Sequence, residues 1–173
     1  MNNRKGFTLI ELLIVIAILG VLAVVVLVAI NPVQQLARTR DSGRISTVTQ
    51  LGHAVQAYYT ARGGENTDFP PNNGTWLDTL VSAGEIANPP SAVNYTAGTA
   101  TACTTNVVNN WCYNYNAAGH AIVFATMEAD SNRSLCTAGE TAYALYSTAD
   151  GRGGIVCSSG EPTSQSAGVF VYK

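Results

Sequence analysis

The chain has 173 residues, nine of them basic and eleven acidic, for a formal charge of −2. That length allows one ordinary domain, and the weak negative charge excludes nucleic-acid binding by bulk attraction. Only 12% of the residues are charged, and their uneven placement separates an apolar N-terminal segment from a water-facing remainder.

Arg4 and Lys5 stand ahead of an uncharged apolar run from Leu12 to Ile30, 19 residues long. As a helix it extends about 28 Å, enough to cross a bilayer core. A cleaved secretory signal fits poorly, because such signals have shorter apolar stretches and a small-x-small cleavage site, whereas this run closes on Ala29-Ile30-Asn31-Pro32. A plain anchor with a cytoplasmic N-terminus, oriented by Arg4 and Lys5, explains the length. It leaves Glu11 unexplained. An acidic residue in an apolar span costs about 2.5 to 3.5 kcal/mol at mid-helix and less near the end, so Glu11 calls for a partner. A cut between Gly6 and Phe7 creates one, an α-amine four residues upstream of Glu11. Within one helix the two groups pair weakly. In a bundle each Glu11 can instead neutralise the amine of a neighbouring copy and set the axial register.

The stretch Lys5-Gly6-Phe7-Thr8-Leu9-Ile10-Glu11-Leu12-Leu13-Ile14-Val15-Ile16-Ala17-Ile18 resembles the class III signal of type IV pilins and type II secretion pseudopilins. The resemblance implies that residues 1–6 are a leader removed by a membrane aspartyl prepilin peptidase, that Phe7 is N-methylated, and that Glu11 is the assembly residue. It implies an α+β pilin fold, with a transmembrane and assembly helix over 7–30, an amphipathic continuation over 31–62, and a head over 63–173 built on a small antiparallel sheet. The implied partners are further copies in a helical filament, the peptidase, the membrane and a pilus or secretion assembly platform. The head would lie outside the inner membrane before incorporation into an extracellular pilus or periplasmic pseudopilus. The leading expectation is a structural subunit of a type IV pilus used in adhesion, motility or DNA uptake; the alternative is a pseudopilin of a type II secretion or competence system. One departure concerns Val28, which stands where many pilins carry a helix-bending proline. The nearest proline is Pro32, so the bend is expected at Asn31-Pro32.

Beyond Pro32 the composition turns wet, with Gln34, Gln35, Arg38, Arg40, Asp41 and Arg44, and the helix is expected to reach Ala61 or Arg62. Val48, Leu51, Val55 and Tyr58 or Tyr59 recur at helical spacing and predict a face covered by a sheet. His53 lies beside that stripe as a structural or surface residue. The three arginines read as a solvated face or as contacts for lipid head groups or acidic neighbours. Arg62-Gly63-Gly64 marks the helix end.

Residues 63–95 read as a connection with a short helix from Trp76 towards Gly84, in which Trp76 packs against the long helix. The order of Phe69-Pro70, Trp76-Leu77, Leu80 to Ile86, Pro89-Pro90 and Asn94-Tyr95 is similar to the connecting region of major pseudopilins and related pilins. Strands are expected over Trp111–Tyr115, Ala121–Met127, Ala142–Ser147 and Gly154–Cys157, with turns at Asn116–Gly119 and Ala149–Gly154. Val169–Tyr172 reads as a last strand or a packed tail.

Cys103, Cys112, Cys136 and Cys157 all lie in the polar C-terminal part, which fits an oxidising compartment. Their spacing lacks the close pairs of a zinc site. Three pairings are possible, and the local choice joins Cys103 to Cys112 and Cys136 to Cys157. No nucleophile, base and orienting group assemble from His53, His120 and these cysteines, so an enzyme is not expected. No cofactor is expected; Glu128, Asp130 and Asp150 are the sparse candidates for a calcium ion. Asn73, Asn94 and Asn132 head Asn-x-Ser/Thr triplets that mark loops able to be exposed. Without the leader, seven basic residues face eleven acidic ones, and a charge of −4 disfavours direct DNA capture.

Overall fold

The computed structural model describes residues 6–63, 68–98 and 100–173. Residues 1–5 of the expected leader, with Arg4 and Lys5, lie outside the described residues. The chain begins with α1 (Leu9–Ile30), a helix of leucine, isoleucine, valine and alanine with no buried residue. Asn31 interrupts it in the left-handed region at φ 44°, a conformation that asparagine tolerates better than most side chains. Pro32 then opens α2 (Pro32–Ala61), where its missing N–H and fixed φ suit a first helical turn. The Asn31 side chain accepts from the Gln34 amide at 3.4 Å. The break therefore falls at Asn31-Pro32, and Val28 stays helical.

The buried face of α2 comprises Ala37, Asp41, Arg44, Val48, Leu51, Gly52, Ala54, Val55 and Tyr58. It lies on a four-stranded antiparallel meander, β1 (Cys112–Tyr115), β2 (Ala121–Thr126), β3 (Thr141–Ser147) and β4 (Arg152–Ser158), in the order β1-β2-β3-β4. Gly52 permits the closest approach, because a Cβ there would overlap the Tyr146 ring on β3. Tyr146 also faces His53, its hydroxyl 3.3 Å from the imidazole Nδ1.

The connection carries α3 (Trp76–Ser82), which buries Trp76, Leu77 and Leu80. Trp76 stacks on Tyr113 at 5.0 Å between centroids, and its indole donates to the Asn106 carbonyl at 2.9 Å. A buried indole is held most firmly when its one donor is satisfied. Between β2 and β3 the chain makes a single-turn helix, α4 (Asp130–Arg133), absent from the sequence expectation.

The second face of the sheet is also covered. Ile122, Phe124, Tyr143, Leu145 and Val156 pack with Cys103 and Cys112, and Phe170 and Tyr172 lie against them. Residues 169–172 form a packed tail with one bridge from Val156 to Tyr172 rather than a strand. Tyr172 donates to Asp150 at 3.1 Å and lies under the Arg152 guanidinium at 4.0 Å. Disulfides join Cys103 to Cys112 and Cys136 to Cys157, with Cα separations of 6.2 and 5.4 Å. The second ties the connection between α4 and β3 to β4.

Candidate functional site

Two features stand out, the bare N-terminal helix and an ionic clamp that fastens the head to the helix that follows. Thr8 caps α1. Its backbone N–H and hydroxyl donate to the Glu11 carboxylate at 2.9 and 2.7 Å, and its hydroxyl accepts from the Glu11 amide at 3.4 Å. This reciprocal box satisfies donors that a helix start otherwise leaves open. Phe7 is 82% exposed and precedes the helix, and in the uncut chain its nitrogen is a peptide amide. Glu11 turns back on Thr8. Large apolar side chains from Phe7 to Ile30 are all at least 47% exposed. A helix that is apolar on every side and packs on nothing of its own calls for lipid or for other helices.

The clamp lies where α2 leaves that exposed region. Asp41 and Glu128 are fully buried and Arg44 is 3% exposed. Asp41 pairs with Arg44 one turn on and also accepts from the backbone amides of Glu128 and Ala129 at 2.9 and 2.8 Å and from the Asn132 side chain at 2.8 Å. Glu128 receives Arg44 at 2.9 Å, a two-pronged contact from Arg40 at 3.0 and 2.9 Å, and the amides of Thr96 and Ala97. Arg44 further donates to the Asn94 carbonyl at 2.8 Å. The two carboxylates and Arg44 thus bind three separate segments: α2, residues 94–97 and the turn into α4. Buried charges survive in such a place only when paired and hydrogen-bonded in full.

The reading of Arg40 and Arg44 as a solvated face is thereby corrected: their acidic neighbours are internal. Arg38 is exposed and donates to Ser131 at 3.1 Å. Asp41 and Arg44 continue the stripe of Val48, Leu51, Val55 and Tyr58 at the same alternating spacing of three and four, so position rather than residue type carried the signal.

The carboxylates named as calcium candidates do not converge. Glu128 is committed to the clamp. Asp130 is exposed and 3.6 Å from Arg133, while Asp150 sits past the far end of β3 and accepts from Gly168 and Tyr172. Among the described residues there is no group of three metal-ligating side chains. Of the three asparagine triplets, Asn73 holds the Thr75 amide at 2.8 Å, Asn132 is used on Asp41, and Asn94 lends its carbonyl to Arg44.

Burial alone would raise the Glu128 carboxyl, but the Arg40 side chain, the Thr96 amide, Arg44 and the Ala97 amide outweigh it and hold the group at about 2. A carboxyl held below its unfolded value near 4.5 adds stability that is complete above that pH. The contribution, on the order of 3 kcal/mol, is lost as pH falls from about 4.5 towards 2. We expect acid titration of the wild-type head, followed by circular dichroism, to show this loss, and Glu128→Gln to start less stable and flatten that part of the curve.

Residues 1–27 match the family model described as the prokaryotic N-terminal methylation motif. A type IV major pilin protein PilE1 of Neisseria gonorrhoeae is 41% identical over 90 residues, which cover 52% of this chain and 46% of that protein. The chain is thus similar to a type IV major pilin over about half of its length. A fimbrial protein of Neisseria meningitidis serogroup A is 44% identical over 70 residues, 40% of this chain and 38% of the relative. The matches thus span less than half the length of these curated relatives. No solved structure matches the chain. The long helix on a four-stranded antiparallel sheet agrees with the pilin fold.

Proposed function

We propose that this chain is the structural subunit of a type IV pilus, stored in the membrane through α1 and then polymerised through the same helix. The observation that carries the reading is α1 itself, 22 residues without a buried side chain on a head that is otherwise well packed. In the membrane, lipid covers it; in a filament, other copies of α1 replace lipid. Prepilin peptidase would cut between Gly6 and Phe7, Phe7 would be methylated, and the freed amine would meet Glu11 of an adjacent copy. Among the described residues Glu11 is held by Thr8 across three residues, so it can exchange that cap for an amine without disturbing the fold. The similarity to a major pilin and a fimbrial protein favours a pilus over a secretion pseudopilus. The proposed role is structural, with no catalytic step assigned to the chain. The orientation is N-terminus cytoplasmic and head outside. Shearing intact cells tests this: the subunit is expected in fibres in the sheared fraction, and retention of the whole pool in the membrane under piliating conditions would contradict it.

A further inference from the structure

The connection ahead of α3 holds a chemically reactive pair. Asn73-Gly74 is the only Asn-Gly step in the chain, and both residues are exposed. The side-chain carbonyl carbon of an asparagine is open to attack by the main-chain nitrogen of the next residue, and glycine, lacking a Cβ, obstructs that attack least. Three observations suit this pair to the reaction. Asn73 Oδ1 accepts from the Thr75 amide at 2.8 Å and from the Thr75 hydroxyl at 2.7 Å. Two donors on one carbonyl oxygen make Cγ more electrophilic and stabilise the oxyanion that addition creates. The Gly74 N–H and the Asn73 Nδ2 make no hydrogen bond among the described residues, so neither the attacking nitrogen nor the leaving one is tied down. A Cβ at Gly74 would meet nothing within 4 Å, so water reaches the site.

Comparable side chains elsewhere lack one or more of these conditions. At Asp150-Gly151 the glycine N–H donates to the Ser147 carbonyl at 2.9 Å, and the carboxylate holds Gly168 and Tyr172. Asn116 Oδ1 also accepts two amides, but its Nδ2 is committed to the Ser164 carbonyl at 3.1 Å and alanine follows it. Asn132 commits Nδ2 to Asp41. We propose that Asn73 is a self-modification site, at which the Gly74 nitrogen bonds to Asn73 Cγ, the Cγ–Nδ2 bond breaks, and water opens the resulting cyclic imide to aspartate or isoaspartate. The Gly74 proton leaves with Nδ2 as ammonia, so the net change is one water consumed and one ammonia released, with no oxidant or enzyme. The product adds a negative charge to residues 63–95, which contain Glu65, Asp68, Asp78 and Glu85 and no basic residue. Aspartate keeps the acceptor for Thr75 and makes that bond charge-assisted. Isoaspartate routes the main chain through Cγ and gives the acceptor up. The inference is independent of the filament reading.

The test holds detergent-solubilised full-length protein in mildly alkaline buffer for days, with circular dichroism confirming that the head stays folded. Peptide mapping by mass spectrometry is expected to show NH exchanged for O at Asn73 ahead of every other asparagine, with isoaspartate among the products by isoaspartyl methyltransferase labelling. Gly74→Ala places a methyl group in open space, so it should keep the melting temperature while slowing the conversion several-fold. Asn73→Asp, the direct product, should melt at the wild-type temperature or above. Three results would overturn the inference: an intact Asn73 after a free peptide of residues 69–77 has converted, an unchanged rate in Gly74→Ala, or an Asn73 amide already blocked by a glycan.

Discussion

Glu11→Leu is expected to leave the protein in the membrane and to abolish filaments. The substitution removes the one charge from an apolar helix, so insertion becomes easier by up to a few kcal/mol. Folding of the head should be untouched, because among the described residues the Glu11 side chain bonds to Thr8, outside the head. Assembly suffers in proportion to the setting of the lost pair. Removing one partner of a buried ion pair costs about 3 to 5 kcal/mol, since the other charge remains desolvated and alone. That is a factor of about a hundred to a few thousand at each subunit contact, repeated along the fibre. The register between helices would also lose its only charged marker, because Leu12 to Ile30 offers none. Membrane fractionation with electron microscopy of the sheared fraction reads both halves of the expectation. Normal fibres from this variant would refute the assembly role of Glu11.

Asp41→Ala should cost the head about 3 to 5 kcal/mol. The loss leaves the Arg44 guanidinium with one fewer carboxylate in a site that is 3% exposed. It also orphans the amides of Glu128 and Ala129 and the Asn132 side chain. At about 2 to 4 °C per kcal/mol for a chain of this size, the melting temperature should fall by roughly 10 °C. Asp130→Ala, one turn away but exposed, should change stability by no more than about 0.5 kcal/mol. Thermal melts of the two detergent-solubilised variants make the comparison, and equal melting temperatures would contradict the clamp. Because the clamp holds residues 94–97 and the turn into α4 onto α2, its loss would also loosen both attachments.

Much of the fold was open to reading because it follows from apolar periodicity and from strong local punctuation. Asn31-Pro32 breaks a helix by removing an amide, whatever surrounds it. Val48, Leu51, Val55 and Tyr58 declare a buried face by spacing alone, and Trp76 to Leu80 declare a short helix that covers it. The strands differ from expectation at their ends by up to two residues, where pairing partners rather than propensity decide. The clamp was not legible from residue type, since Asp41, Arg40 and Arg44 look like the first turns of a wet helix. Their burial depends on Glu128, more than eighty residues away, and on main-chain amides that no side-chain pattern reveals. The turn of α4 was missed for a related reason: four polar residues have no periodicity, and the helix forms because Asp41 and Gln34 hold its first amides. At the N-terminus the sequence motif carried more than the fold does. Gly6, Phe7 and Glu11 are distinctive in order, but the geometry they adopt with a second copy is not a property of one chain.

Intact-mass analysis of the protein in the sheared surface fraction tests the central claim most directly. A mass for Phe7 to Lys173 plus one methyl group and minus four hydrogens is expected, combining cleavage after Gly6, methylation of Phe7 and the two disulfides seen in the head. A mass that begins at Met1, in cells that are making fibres, would contradict a processed and polymerised subunit.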